Sequence, residues 1–150
     1  MGLYESFLYS FLATIAFAVL FQAPKRTLII SGVIGAIGWV VFVYLRQYLE
    51  YNSFHANFLA TVALALISEL SARMFKQPAT VFLIPGIIPL VPGLGMYQGM
   101  KQIIEKSYDN GVTTLLTAGT DSAAIALGIM VIASIFRVIK MSATKNFWTK

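Results

Sequence analysis

The chain has 150 residues and a formal net charge of +5, with 58% hydrophobic and only 11% charged residues. An ordinary soluble domain carries roughly 25% charged residues, so the composition excludes one and indicates an all-α integral membrane protein whose length allows a single transmembrane domain. The lysines and arginines are scattered through short loops, which argues against nucleic acid as a partner, and the absence of cysteine excludes disulfides and thiol chemistry.

Five apolar runs are expected to span the bilayer, at about 3–23, 27–45, 54–72, 78–100 and 112–139. The first reads as a retained span rather than a cleaved leader, because no Lys or Arg precedes it and Pro24 follows its small-residue end. The second carries Ser31/Gly35 and Gly32/Ala36 at small-xxx-small spacing, as the fifth does with Ala124/Gly128. Such pairs serve either packing within the chain or contact with a partner. The third opens at His55, an interfacial loop residue by default. It closes with Glu69 four residues before Arg73, the spacing and order of a helical ion pair at the cytoplasmic interface. A proton relay is the alternative role for these two residues.

The fourth run holds Pro85, Gly86, Pro89, Pro92, Gly93 and Gly95, with large aliphatic residues between them. Each proline lacks an N–H and displaces the carbonyl four residues earlier, which frees the carbonyls of Val81, Pro85 and Ile88. Non-helical backbone at membrane depth persists only where protein or a watery cavity covers it, so the cluster is a candidate substrate or ion site. From Pro78 to Pro89 a helix rises about 16 Å, half of a hydrocarbon core of about 30 Å, which puts the break near the midplane. A helix restarting at Pro92–Gly95 would direct free N–H groups toward a nearby anion. The alternative is a kinked structural helix covered by its neighbours.

The fifth run is longer than a span requires, so one end must protrude, tilt or unwind. Within it Thr114, Thr117 and Asp121 share a helical face. Asp121 is either an intramembrane ion site or the N-cap of a helix beginning at Ser122. No metal cluster, nucleophile–base pair, phosphate loop or HExxH motif is present in the sequence, so neither an enzyme nor a cofactor is expected.

Loop charges set an expected orientation. Lys25, Arg26, Arg73, Lys76, Arg137, Lys140, Lys145 and Lys150 fall on one side and Arg46, Lys101 and Lys106 on the other, eight against three. The positive-inside rule then places the N-terminus outside and the C-terminus in the cytoplasm of a plasma (inner) membrane protein. Tyr44, Tyr48, Tyr51 and Trp148 stand where interfacial aromatic belts form. An odd number of spans is the mark of one repeat of an inverted-repeat transporter, and five helices are few to enclose a pathway, so a partner subunit or self-association is expected.

The run from Glu69 through Arg73, followed by Pro78-Ala-Thr-Val-Phe-Leu-Ile-Pro-Gly-Ile-Ile-Pro-Leu-Val-Pro-Gly93, resembles the core of the threonine/serine exporter family. The length and five-span layout resemble its short stand-alone membrane subunit, equivalent to the C-terminal half of the full-length exporters. The resemblance implies a plasma-membrane exporter of hydroxy amino acids or of dicarboxylates such as succinate, driven by an ion gradient, working with a second, longer membrane subunit. It supplies no residue map, so the site residues are physical inference: Pro85, Gly86, Pro89, Pro92, Gly93, Gly95, Thr117 and Asp121 for substrate or ion. Two other readings remain: a structural scaffold whose prolines only shape packing, and a self-assembled homo-oligomeric channel.

Overall fold

The first helix buries its polar face. The computed structural model describes residues 2–145, with side chains placed through residue 139, so the expectations for Trp148 and Lys150 lie outside the described residues. Helix α1, Leu3–Leu20, buries Ser6, Ser10, Thr14 and Ala18, spaced four apart on one face. Tyr4, Leu8, Leu12 and Leu20 are exposed. Apolar outside and small or polar inside is the pattern of a helix surrounded by lipid, where helices associate through close packing and hydrogen bonds. Two of the inward hydroxyls are satisfied along the helix, Ser10 Oγ donating to the Ser6 carbonyl and Thr14 Oγ1 to that of Ser10, each at 2.7 Å, while Ser6 Oγ is buried without a partner.

Helix α2, Leu28–Gln47, returns antiparallel against α1. Its glycines allow the approach: Gly35 has no room for a side chain beside Thr14, and a Cβ at Gly32 would lie 2.7 Å from Ile15. The small-residue pairs of α2 therefore pack within this chain. Helix α3, Ser53–Phe75, follows and ends at Lys76 in the left-handed conformation (φ 52°).

The Pro/Gly segment forms a bent pair. Helix α4, Thr80–Ile87, continues through Pro85, tightens into a 3-10 turn at Ile88–Leu90, and restarts as α5, Gly93–Ile104, with its axis turned by 42°. Among the described residues, four helices are long and apolar enough to cross a membrane, or five with the bent pair taken as one span. The molecule is thus an all-α membrane protein. Helix α4 lies among α1, α2 and α3, and its Phe82, together with Ile34, Leu64, Leu90 and Ile125, forms the apolar core.

Helix α6, Tyr108–Lys145, is continuous over 38 residues. It runs parallel to α3, since Asp121 meets Ser53, Gly128 meets Thr61, and Phe136 lies beneath Arg73. Ser53 is the first residue of α3, so the stretch of α6 from Tyr108 to Asp121 extends past that end by about 20 Å at 1.5 Å per residue. There it pairs with α5 through Gly99 and Gly111: a Cβ at Gly99 would lie 2.7 Å from Leu115, and one at Gly111 2.6 Å from Ile103. The excess length of the last apolar run thus becomes one arm of a projecting hairpin. Lys106, left-handed at φ 64°, makes the turn between the arms.

Candidate functional site

Asp121 is the carboxylate that the fold draws inward. It lies thirteen residues into α6 and is 7% exposed, so it does not cap a helix start, and that alternative is corrected. The helix does not begin at Ser122 because the preceding turns are held against α5. A carboxylate buried this far needs hydrogen-bond partners. Ser53 Oγ donates to Asp121 Oδ2 at 2.7 Å, and Asn57 Nδ2 donates to Ser53 Oγ at 3.4 Å. Two acceptors of this cluster, Asp121 Oδ1 and Asn57 Oδ1, are buried without a hydrogen-bond partner. A buried acceptor left unpaired costs about 1–3 kcal/mol. A carboxylate and an amide oxygen, both unpaired, form a site suited to a cation or to a ligand N–H.

The cluster heads a longer row. Ser53, Asn57, Thr61 and Ser68 fall at helical spacing on one face of α3, and Thr61 Oγ1 and Ser68 Oγ are also buried without partners. The row points from Asp121 toward Glu69 at the other end of the helix. Sequence reasoning passed over it, although hydroxyl or amide side chains at 53, 57, 61 and 68 were a visible signal.

The broken segment divides into two parts. Pro85 and Gly86 are buried mid-bundle: a Cβ at Gly86 would stand 3.4 Å from Leu64 and 3.7 Å from the Gly35 Cα. Pro85 also lines a cavity of about 410 Å³, together with Gln22 and Thr80 among others. Gly93 and Gly95 lie nearer the Ser53 end. A Cβ at Gly95 would meet that of Ala118 at 3.5 Å, one turn before Asp121, while Gly93 has open space around it. Pro92 precedes the first turn of α5, and the half-buried Pro89 lies between the two parts. Two of the freed carbonyls are covered from within. Val81 accepts Ser31 Oγ at 3.4 Å, and Ile88 accepts the Val91 N–H at 3.2 Å. Thr117 stands apart, exposed, with its hydroxyl donated to the Thr113 carbonyl at 3.0 Å.

At the Phe75 end a cavity of about 610 Å³ is lined by Glu69, Arg73, Gln77, Phe136 and Arg137 among others. The ion pair expected between Glu69 and Arg73 is not made. The Arg73 guanidinium carbon instead sits 4.7 Å from the centroid of the Phe136 ring. The magnitudes favour this choice, since a cation–π contact contributes about 0.5–1 kcal/mol or more and an exposed helical ion pair about 0.3–0.5. An i,i+4 pair does form on α5, between Lys101 and Glu105 at 3.7 Å.

The family model described as "Threonine/Serine exporter, ThrE" matches residues 6–135. A relative from Corynebacterium glutamicum described as "Threonine/serine exporter" is 30% identical over 115 residues, which cover 77% of this chain and 23% of the relative. The chain thus spans about a quarter of the length of that relative. No solved structure matches the chain.

Proposed function

Because the chain belongs to the threonine/serine exporter family, we propose that it is a single transmembrane domain forming half of the pathway of a secondary-active exporter. Its substrates are small and polar, hydroxy amino acids first and dicarboxylates such as succinate second. The family is one of exporters, and the multi-pass membrane character of the chain accords with it. The observation that carries the reading is Asp121, a buried carboxylate with one unpartnered oxygen beside Ser53 and Asn57. A structural role alone leaves no reason to retain an unpaired charge at a helix crossing.

In this reading the row of Ser53, Asn57, Thr61 and Ser68 lines the route between Asp121 and the cavity at the Phe75 end, and the α4–α5 break flanks it at Gly93 and Gly95. The α5–α6 hairpin supports a partner subunit. Leu94, Tyr97, Ile104 and Leu116 on it are 66–77% exposed, and apolar patches of this kind mark lipid or protein contacts. The occupant is a second, longer membrane subunit that supplies the complementary half. Export of threonine into inverted vesicles tests this. Vesicles containing the chain with its companion should accumulate threonine at least tenfold faster than vesicles containing the chain alone, and the two should copurify in mild detergent. Equal rates without the companion would support the homo-oligomeric channel.

Orientation follows the eight-to-three division of Lys and Arg, with the N-terminus outside and the Phe75 end of the bundle in the cytoplasm of the plasma (inner) membrane. A reporter that is active only in the cytoplasm should be active when fused after Lys150 and silent when fused near Glu50. The opposite pattern would reverse the direction assigned to the route.

A further inference from the structure

The cavity at the Phe75 end holds charges of both signs that do not neutralise one another. Glu69 and Arg73 are one turn apart on α3, and Arg137 follows Phe136 on α6; within the described residues none of the three is in an ion pair. The Arg73 guanidinium carbon lies over the Phe136 ring, 4.7 Å from its centroid. A cation–π contact engages the face of a guanidinium without using its N–H donors as hydrogen bonds, and those donors are paired to match a carboxylate. Glu69, half-buried and eight residues before Gln77 in the lining, accepts hydrogen bonds only.

We propose that this cavity is the cytoplasmic loading site of the exporter and that it selects zwitterionic α-amino acids, with Arg73 and Arg137 binding the carboxylate and Glu69 the ammonium group. The proposal rests on the exporter reading above and narrows its substrate class. A dicarboxylate satisfies the guanidiniums but brings its second negative charge toward Glu69, whereas an amino acid brings its ammonium there. The volume of about 610 Å³ lies within the 300–1,000 Å³ range of small-molecule sites. From Glu69 the α3 row of Ser68, Thr61 and Asn57 offers unpaired oxygens in the direction of Asp121, which continues the path for the ammonium end.

The experiment is thermal unfolding of the protein purified in mild detergent with its copurifying partner, titrated with four compounds. They are L-threonine, its methyl ester (no carboxylate), 3-hydroxybutyrate (no ammonium) and succinate. A ligand that binds only the folded state raises the midpoint with its concentration. L-threonine should bind at least about tenfold more tightly than each of the other three, the usual scale for a charge-assisted hydrogen bond. Glu69→Gln should erase the preference for threonine over 3-hydroxybutyrate, and Arg73→Gln/Arg137→Gln should erase its preference over the ester. Because each preference is a ratio within one protein, a change in stability does not imitate its loss. The single variant Arg137→Gln, with an exposed side chain, gives the same reading if the double variant does not fold. Variants that keep the wild-type ratios overturn the proposal. So does a wild-type protein that L-threonine does not stabilise. Threonine export into vesicles separates the causes: export without stabilisation removes this cavity alone, while absence of both removes the exporter reading with it.

Discussion

Asp121→Asn is expected to fold, to assemble in the membrane and to export at a rate roughly 10- to 100-fold below wild type, the scale of losing one charged hydrogen-bonding partner. The substitution is nearly isosteric, and the new amide oxygen can still accept the Ser53 hydroxyl that Asp121 Oδ2 accepts at 2.7 Å. It removes the cost of holding a charge at a buried helix crossing, so the midpoint of thermal unfolding in detergent should stay level or rise. Initial rates of threonine uptake into inverted vesicles, measured beside the unfolding midpoint, check both parts. A stable variant that exports at the wild-type rate would show that the unpaired Asp121 Oδ1 binds nothing in the cycle. Asn57→Ala should move export in the same direction but less, since it removes a neutral acceptor.

The organisation of helices was legible because lipid imposes a simple rule. Runs of apolar residues become spans, and α1, α2 and α3 begin and end within a few residues of theirs. The break at Pro85–Gly95 was legible for the same reason, since three prolines cannot continue a ladder of backbone bonds. Its internal division was not. Whether a freed carbonyl is open or covered depends on a side chain far away in sequence, as with Val81, whose carbonyl accepts from Ser31 fifty residues earlier. Asp121 was ambiguous because the helix after it is long enough for a span alone; only the packing of α5 on the preceding turns makes α6 continuous. Glu69 and Arg73 had the spacing of an ion pair, but Phe136, from another helix, offered Arg73 the better contact. The α3 row escaped notice because isolated Ser, Thr and Asn residues hardly lower the hydropathy of a span, and their burial becomes apparent only when α6 is laid against them.

Replacing both Pro89 and Pro92 with alanine should leave a folded protein whose export is lost or reduced by at least about tenfold. Each alanine restores an N–H, and a proline in a helix interior disfavours the helix by about 3 kcal/mol relative to alanine, so the segment gains the option of continuing α4 through Val91. The Ile88 carbonyl, now occupied by the Val91 N–H at 3.2 Å, would accept from residue 92 as in a regular helix. Straightening a 42° bend swings α5 away from α6, and the hairpin contacts at Gly99 and Gly111 oppose that swing. The two tendencies act on different observables. The gain in backbone bonding keeps or raises the unfolding midpoint, while displacement of Gly95 from Ala118, its neighbour one turn before Asp121, disturbs the site. Gly93→Leu isolates the second effect: no atom lies within 4 Å of its Cβ position, so the chain accommodates leucine, and lost export would mean that substrate or partner occupies that space. Gly86→Leu cannot serve as such a test, because Leu64 at 3.4 Å and Gly35 at 3.7 Å make it a packing mutation. A stable Pro89→Ala/Pro92→Ala protein that exports at the normal rate would leave the prolines as shapers of α4 packing and confine the proposed site to Asp121 and the α3 row.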